Sequence, residues 1–245
     1  MSQKNNCADA PIAIIGGNTL GALPNLSVKR RRIERTPYGE LSTPLLYGSI
    51  NNKPVVFLAR HGDSKTISTE PVNDLANIYA LQQTNAKVII GISSAIGLVE
   101  HINAGDFIVP DQLIDLTNLS IARFPNSESH PHRPLHFAEP FDQYWRQALI
   151  GAGLSINQMH SGGVYILTSG QRSETKAEAK YYKSMGGIAL GATGAQESAL
   201  ARDLDIPFVQ ILVVIRPSVD LVNSIDISLN FNNIAQTISN WIGNL

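Results

Sequence analysis

The sequence predicts an α/β protein: a single domain in which a central sheet, largely parallel or mixed, is flanked by helices. Three observations carry that prediction. Short, mostly apolar runs at 11–15, 55–59, 87–92, 163–167 and 209–215 read as strands buried on both faces. Between and after them lie amphipathic segments with helical spacing, at 71–83, 139–151, 175 onward, 198–204 and 231–242. Strand-like and helix-like segments alternate along the chain, which is the pattern of a sheet with helices packed on its faces.

Composition narrows the function classes. The 245 residues suit one large α/β domain, and residues 1–10 are expected to form a flexible tail ahead of a domain spanning 11–245. Nineteen basic against twenty acidic residues leave a net charge of -1, which argues against a nucleic-acid coat or a membrane-surface protein and favours a small-molecule partner. Cys7 is the only cysteine, so no disulfide can close within the chain. With a polar lead-in lacking a signal-like apolar core, this fits a reducing, cytoplasmic setting. The longest apolar stretch, Ile206 to Ile215, carries Pro207 and Gln210 and falls well short of the roughly 20 residues needed to span a bilayer. The basic cluster Lys29 to Arg32, with Arg35, is expected on a solvated connecting segment.

Taken in order, the strand at 11–15 runs into Gly16-Gly17-Asn18, where glycines let the backbone approach a ligand. No G-x-G-x-x-G and no Walker lysine follows, so dinucleotide and P-loop readings fail. Thr36-Pro37-Tyr38-Gly39 reads as a turn. Leu45 to Ser49 and Val55 to Ala59, joined through Asn51-Asn52-Lys53, read as a hairpin that delivers Arg60-His61-Gly62 at its end. Arg offers a planar fork of donors that fits an oxyanion, and His adds a tunable one. The alternative is an arginine paired with a carboxylate and a histidine satisfied by the backbone.

The helix at 71–83 is predicted to turn Val72, Leu75, Ala76 and Tyr79 inward, with Ile78 and Leu81 at its edge, and that at 139–151 to turn Phe141, Tyr144, Trp145, Ala148 and Leu149 inward. The strand at 87–92 is predicted to end in Ser93-Ser94-Ala95, a second candidate anion cradle. The long segment 122–137 holds His130, His132 and His136. With no cysteine or helically spaced carboxylate beside them, these read as loop residues and not as a metal site. Thr175 with Glu178 three residues later forms a capping-box signature.

Five strand ends thus carry polar groups: Gly16-Gly17-Asn18, Arg60-His61-Gly62, Ser93-Ser94, Thr168 to Thr175, and Ala192-Thr193 with Glu197. In α/β sheets ligands bind where such ends converge. Their order, with Leu58-Ala59-Arg60-His61-Gly62, Val72-Asn73, Ala76-Asn77 and Asp111-Gln112-Leu113-Ile114-Asp115, resembles the purine nucleoside phosphorylase family from Ile12 to about Ile215. Gly163-Val164-Tyr165, Glu174-Thr175 and Ala199-Leu200-Ala201-Arg202 look closest to its methylthioinosine branch.

The resemblance implies the nucleoside phosphorylase fold and phosphorolysis of a purine nucleoside, with a 6-oxo base and a 5′-methylthio group as the leading substrate. It implies no cofactor, inorganic phosphate being the co-substrate, and a homotrimer. It places Asn18, Arg60, His61, Ser93, Ser94 and Thr193 around phosphate and Ala95, Ala192, Glu197, Arg216 and Ser218 around the nucleoside, with Arg216 and His61 as the catalytic pair. The chain departs from the family pattern at Arg216, where an Asp or Asn is usual, at Ala192 for Met and at Ile96 for Gly. Lys65 and Asp74 stand where His and Tyr are usual. These departures keep two alternatives open: a homologue that binds a nucleoside or anion without turnover, and a hydrolase on the same fold. Arg172 is expected to pair with a nearby carboxylate.

Overall fold

The computed structural model describes residues 10–17, 23–62, 72–117, 123–125, 134–156, 158–218, 221 and 231–245. The tail through residue 9, Asn18, Lys65, His130 and His132 lie outside these described residues.

Eleven strands form one mixed sheet along the path β2-β3-β4-β1-β5-β10-β9-β7, with β11 joined to β5 and β6, and β8 joined to β6. In chain order the strands are β1 (Ile12–Gly16), β2 (Ser27–Arg32), β3 (Leu45–Ile50), β4 (Lys53–Ala59), β5 (Val88–Gly97), β6 (Phe107–Val109), β7 (Gln112–Asp115), β8 (Met159–Ser161), β9 (Val164–Leu167), β10 (Gly187–Gly191) and β11 (Phe208–Pro217). The helices are α1 (Asp74–Gln82), α2 (Gln143–Ala152), α3 (Lys176–Ser184), α4 (Ala195–Asp203) and α5 (Phe231–Gly243).

Alternation along the central strands explains why they read as continuous apolar runs. Ile12, Ile14, Val55, Phe57, Val88 and Ile90 point to one face, where they pack with Leu149 of α2 and Ile234, Ile238, Trp241 and Ile242 of α5. Ala13, Ile15, Val56, Leu58 and Ile89 point to the other, against Ile78 and Leu81 of α1 and Leu200 and Ala201 of α4. Each central strand is therefore covered on both sides. The β3–β4 hairpin closes through Asn51 and Asn52, both at positive φ, as a two-residue turn matched to sheet twist requires. Thr175 and Glu178 cap α3 reciprocally.

Several expectations need correction. The Lys29 to Arg32 cluster is not a connection but edge strand β2, exposed along its length and paired with β3. Charged side chains on an edge discourage pairing with another chain. Strand β5 does not end before Ser93; it runs through Gly97, because β11 continues beside it from Phe208↔Ile89 to Pro217↔Gly97. Helix α1 begins at Asp74, capped by Asn73, and buries Ala76, Asn77, Ile78, Ala80 and Leu81, so Ile78 and Leu81 belong to the core rather than the edge. In α2, Tyr144 is 75% exposed and Arg146 is buried instead, donating to the carbonyls of Pro110 and Val109.

Candidate active site

Register assembles the site. Strands β4, β1 and β5 are parallel, with Gly16 opposite both Ala59 and Ile92. Gly17, Arg60 and Ser93 therefore emerge side by side one residue beyond that level. The Arg60 amide donates to Gly16 O (2.9 Å) and the Gly17 amide to Ile92 O (3.0 Å). Gly17 is required there: a Cβ on it would lie 2.8 Å from Arg60 Nη1.

Beside these ends, Arg60, Val72, Asp74, Thr117, Leu167, Ser169, Ala192, Thr193, Gly194, Ala195, Gln196 and Glu197 line a cavity of about 420 Å³. That volume lies within the range of small-molecule sites. Helix α4 opens onto it with Gly194 as N-cap at φ 111°, and no side chain caps the helix. The first-turn amides of an α-helix have no intrahelical acceptors, so they offer donors and a positive dipole end to an anion.

The polar groups in and behind the cavity wall are arranged in two units; of the second, only Thr193 lines the cavity. In the first, Arg60 is 1% exposed and forms a bidentate pair with Glu197, Nε to Oε1 at 2.5 Å and Nη2 to Oε2 at 2.9 Å, while Nη1 donates to Ile92 O at 3.1 Å. Burial alone would lower the pKa of this guanidinium; the Glu197 carboxylate more than offsets it, and the arginine stays charged. In the second, Ser93 Oγ and Thr193 Oγ1 lie 2.7 Å apart, and Gln210 Nε2 donates to Ser93 Oγ at 2.9 Å. Tyr165 Oη donates to the Thr193 carbonyl at 3.1 Å, fixing the loop before α4.

Thus Arg60, Ser93, Thr193, Ala192 and Glu197 come together. The arginine's carboxylate partner, one of the two readings open for Arg60, is Glu197. His61 is buried but is not among the residues lining the cavity. Among the described residues its Nδ1 has no hydrogen-bond partner, and burial, with Arg60 beside it, holds its pKa below the usual value. Ser94 lies on β5 between Ser93 and Ala95, so strand alternation sends its side chain to the opposite face. Ala95 is buried in the apolar cluster with Tyr165 and Val214, and the Ser218 amide donates to Gly97 O. Arg216 is held by Glu174, Nη1 to Oε1 at 2.9 Å and Nη2 to Oε2 at 2.7 Å. Arg172 pairs with Glu178 on the surface. His136 is exposed. Among the described residues no group of three or more His, Cys, Asp or Glu is arranged to hold a metal ion, and no helix is long and apolar enough to cross a membrane.

Sequence reasoning gave no site role to Gln210, and it noted Asp74 only as a departure from the family pattern. Asp74 opens α1 and lines the cavity. Burial first, then the Glu197 charge, push its pKa up to about 7, with Arg60 opposing. The unfolded reference value is 3.8, so between these values the folded protein binds the extra proton. Stability from this group is full below the unfolded value and is lost as pH rises through the folded one. Asp74→Asn is therefore expected to gain on the wild type as pH is raised from 4 to 8, by roughly 1–3 kcal/mol. Urea unfolding at the two pH values measures it, and a pH-independent difference would contradict the assignment.

An α/β sheet that gathers a cation, two hydroxyls and a helix N-terminus without a side-chain cap around one cavity defines a class of protein that handles a small polar or anionic ligand. The chain belongs to the phosphorylase superfamily, whose family model matches residues 11–241. It is 34% identical over 209 residues to a 6-oxopurine nucleoside phosphorylase of Pyrococcus furiosus, covering 83% of this chain and 78% of that protein. It is 33% identical over 207 residues to a probable S-methyl-5′-thioinosine phosphorylase of Pseudomonas syringae, covering 84% of each. Among solved structures, a methylthioadenosine phosphorylase from an antarctic soil metagenomic library superposes with a TM-score of 0.85 at 28% identity, over 96% of this chain and 86% of that one.

Proposed function

We propose that the protein catalyses phosphorolysis of a purine nucleoside, releasing free base and a ribose 1-phosphate derivative. A 6-oxopurine with a 5′-methylthio group is the first substrate to test, in line with the relatives named above. The observation that carries this reading is Thr193, which lines the cavity next to the N-terminus of α4 and whose hydroxyl pairs with that of Ser93, while among the described residues no side chain caps that helix.

In this reading phosphate lies against Thr193 and the first-turn amides of α4. Its charge stabilises the cation-like sugar as the bond from the anomeric carbon to the base nitrogen breaks and the bond to a phosphate oxygen forms. The buried Arg60–Glu197 pair organises the cavity wall, and the fixed guanidinium charge lies behind the anion. The leaving base takes the electron pair of the broken bond. Arg216 stays protonated at neutral pH, so it can donate to the departing base but cannot serve as a general acid. To do so it must share itself with Glu174. Phosphate is the co-substrate and no cofactor is needed; the protein works in the cytoplasm as a homotrimer.

A second reading, a homologue that binds its ligand without turnover, draws on two observations. Arg60 has donors committed to Glu197 and Ile92, and Arg216 to Glu174. Incubation with methylthioinosine, inosine and methylthioadenosine, with and without phosphate, separates the readings. Phosphate-dependent base release supports the first, phosphate-independent release points to a hydrolase, and binding without release supports the second. A mass measurement in solution tests the trimer.

A further inference from the structure

We propose that Gln210 is a positioning residue that sets the direction of the Ser93–Thr193 hydroxyl pair, so that Thr193 presents a proton and not a lone pair to an anion in the cavity. The inference rests on the reading that phosphate binds against Thr193.

Gln210 lies on β11 opposite Gly91, one pleat from Ser93 on the same face, and is fully buried. Its amide nitrogen is 2.9 Å from Ser93 Oγ and 3.3 Å from the Ile211 carbonyl. A carbonyl can only accept, so the nitrogen belongs on that side, and Ser93 Oγ receives a proton from it. Among the described residues Ser93 Oγ has two partners, Gln210 Nε2 and Thr193 Oγ1. With the first donating, the serine's own proton has Thr193 Oγ1 as its acceptor. Thr193 then has its hydroxyl proton left to give, and Thr193 lines the cavity.

The space for this amide is built in from both sides. A Cβ on Gly91 would lie 2.5 Å from Gln210 Oε1, and one on Gly194 would lie 2.7 Å from it. Among the described residues Gln210 Oε1 has no hydrogen-bond partner, although a buried amide oxygen normally has one. A central strand position facing a helix would ordinarily be apolar. An amide retained there with one end unsatisfied, and its other end on the hydroxyl pair, points to a role at that pair.

The test uses the full chain, inorganic phosphate as titrant and methylthioinosine as nucleoside. Phosphate affinity is read by calorimetry separately from turnover. Gln210→Met, close in volume and without a donor, is expected to weaken phosphate binding about tenfold. Gln210→Glu, which accepts from Ser93 and reverses the pair, is expected to weaken it up to about a hundredfold, the scale of a lost hydrogen bond to a charged group. The nucleoside KM should stay within about twofold, and in a Thr193→Val background Gln210→Met should have no effect beyond about twofold. If Gln210→Glu does not fold, Gln210→Met carries the test. Unchanged phosphate affinity in Gln210→Met overturns the proposal. So does an effect that persists without the threonine hydroxyl, or a parallel rise in both constants, which marks a merely structural residue. Wild type that binds phosphate without releasing base rejects turnover but leaves the positioning test intact, whereas wild type that binds no phosphate rejects both.

Discussion

Arg60→Ala is expected to cost about 3–5 kcal/mol of stability, because it strands a buried carboxylate. The Glu197 side chain is 2% exposed and has both oxygens on the guanidinium. Truncating the arginine removes both donors from an almost wholly buried carboxylate. Thermal or urea unfolding measures the loss. The double replacement Arg60→Met with Glu197→Leu is expected to recover most of it, since an apolar pair of similar volume needs no compensating charge. A single-variant loss below about 1 kcal/mol, the scale of exposed ion pairs, would show that the two side chains are not paired in solution. Loss of turnover in Arg60→Ala is thus not diagnostic of phosphate contact, because the fold is destabilised with it.

Thr193→Val is the cleaner probe of chemistry. Valine keeps the shape of threonine and removes one hydroxyl, whose partner in the described structure is Ser93. Stability should change by about 1 kcal/mol, the net worth of one hydrogen bond. Phosphate-dependent kcat/KM is expected to fall about 100- to 1000-fold, the usual effect of removing one preorganised donor from a developing or bound anion. Steady-state kinetics with phosphate as the varied substrate reads this. A variant that turns over like wild type would place the anion elsewhere in the cavity.

Much of the fold was legible because its signals are local. The Asn51-Asn52 turn, the Thr175–Glu178 capping box and the helical spacing at 231–242 each follow from residues within a few positions of one another. The misread elements depend on distant partners. Ser93 to Gly97 look like a loop of small residues until β11 lies beside them, and the basic run at 29–32 looks like a connection until β3 pairs with it. Tyr144 and Arg146 exchanged their expected environments because a carbonyl pair at Val109 and Pro110 accepts the guanidinium.

For the site, the sequence by itself determined which polar groups follow the apolar runs, since those residues are neighbours along the chain. Which of those groups meet was decided by the tertiary structure. Arg60 and Glu197 are 137 residues apart, Ser93 and Thr193 are 100 apart, and Gln210 and Ser93 are 117 apart. The register of β11 parallel and β10 antiparallel to β5, with α4 following β10, brings them within hydrogen-bond reach. A buried charge or amide takes whatever partner that register supplies, because leaving it unpaired costs more than any local preference.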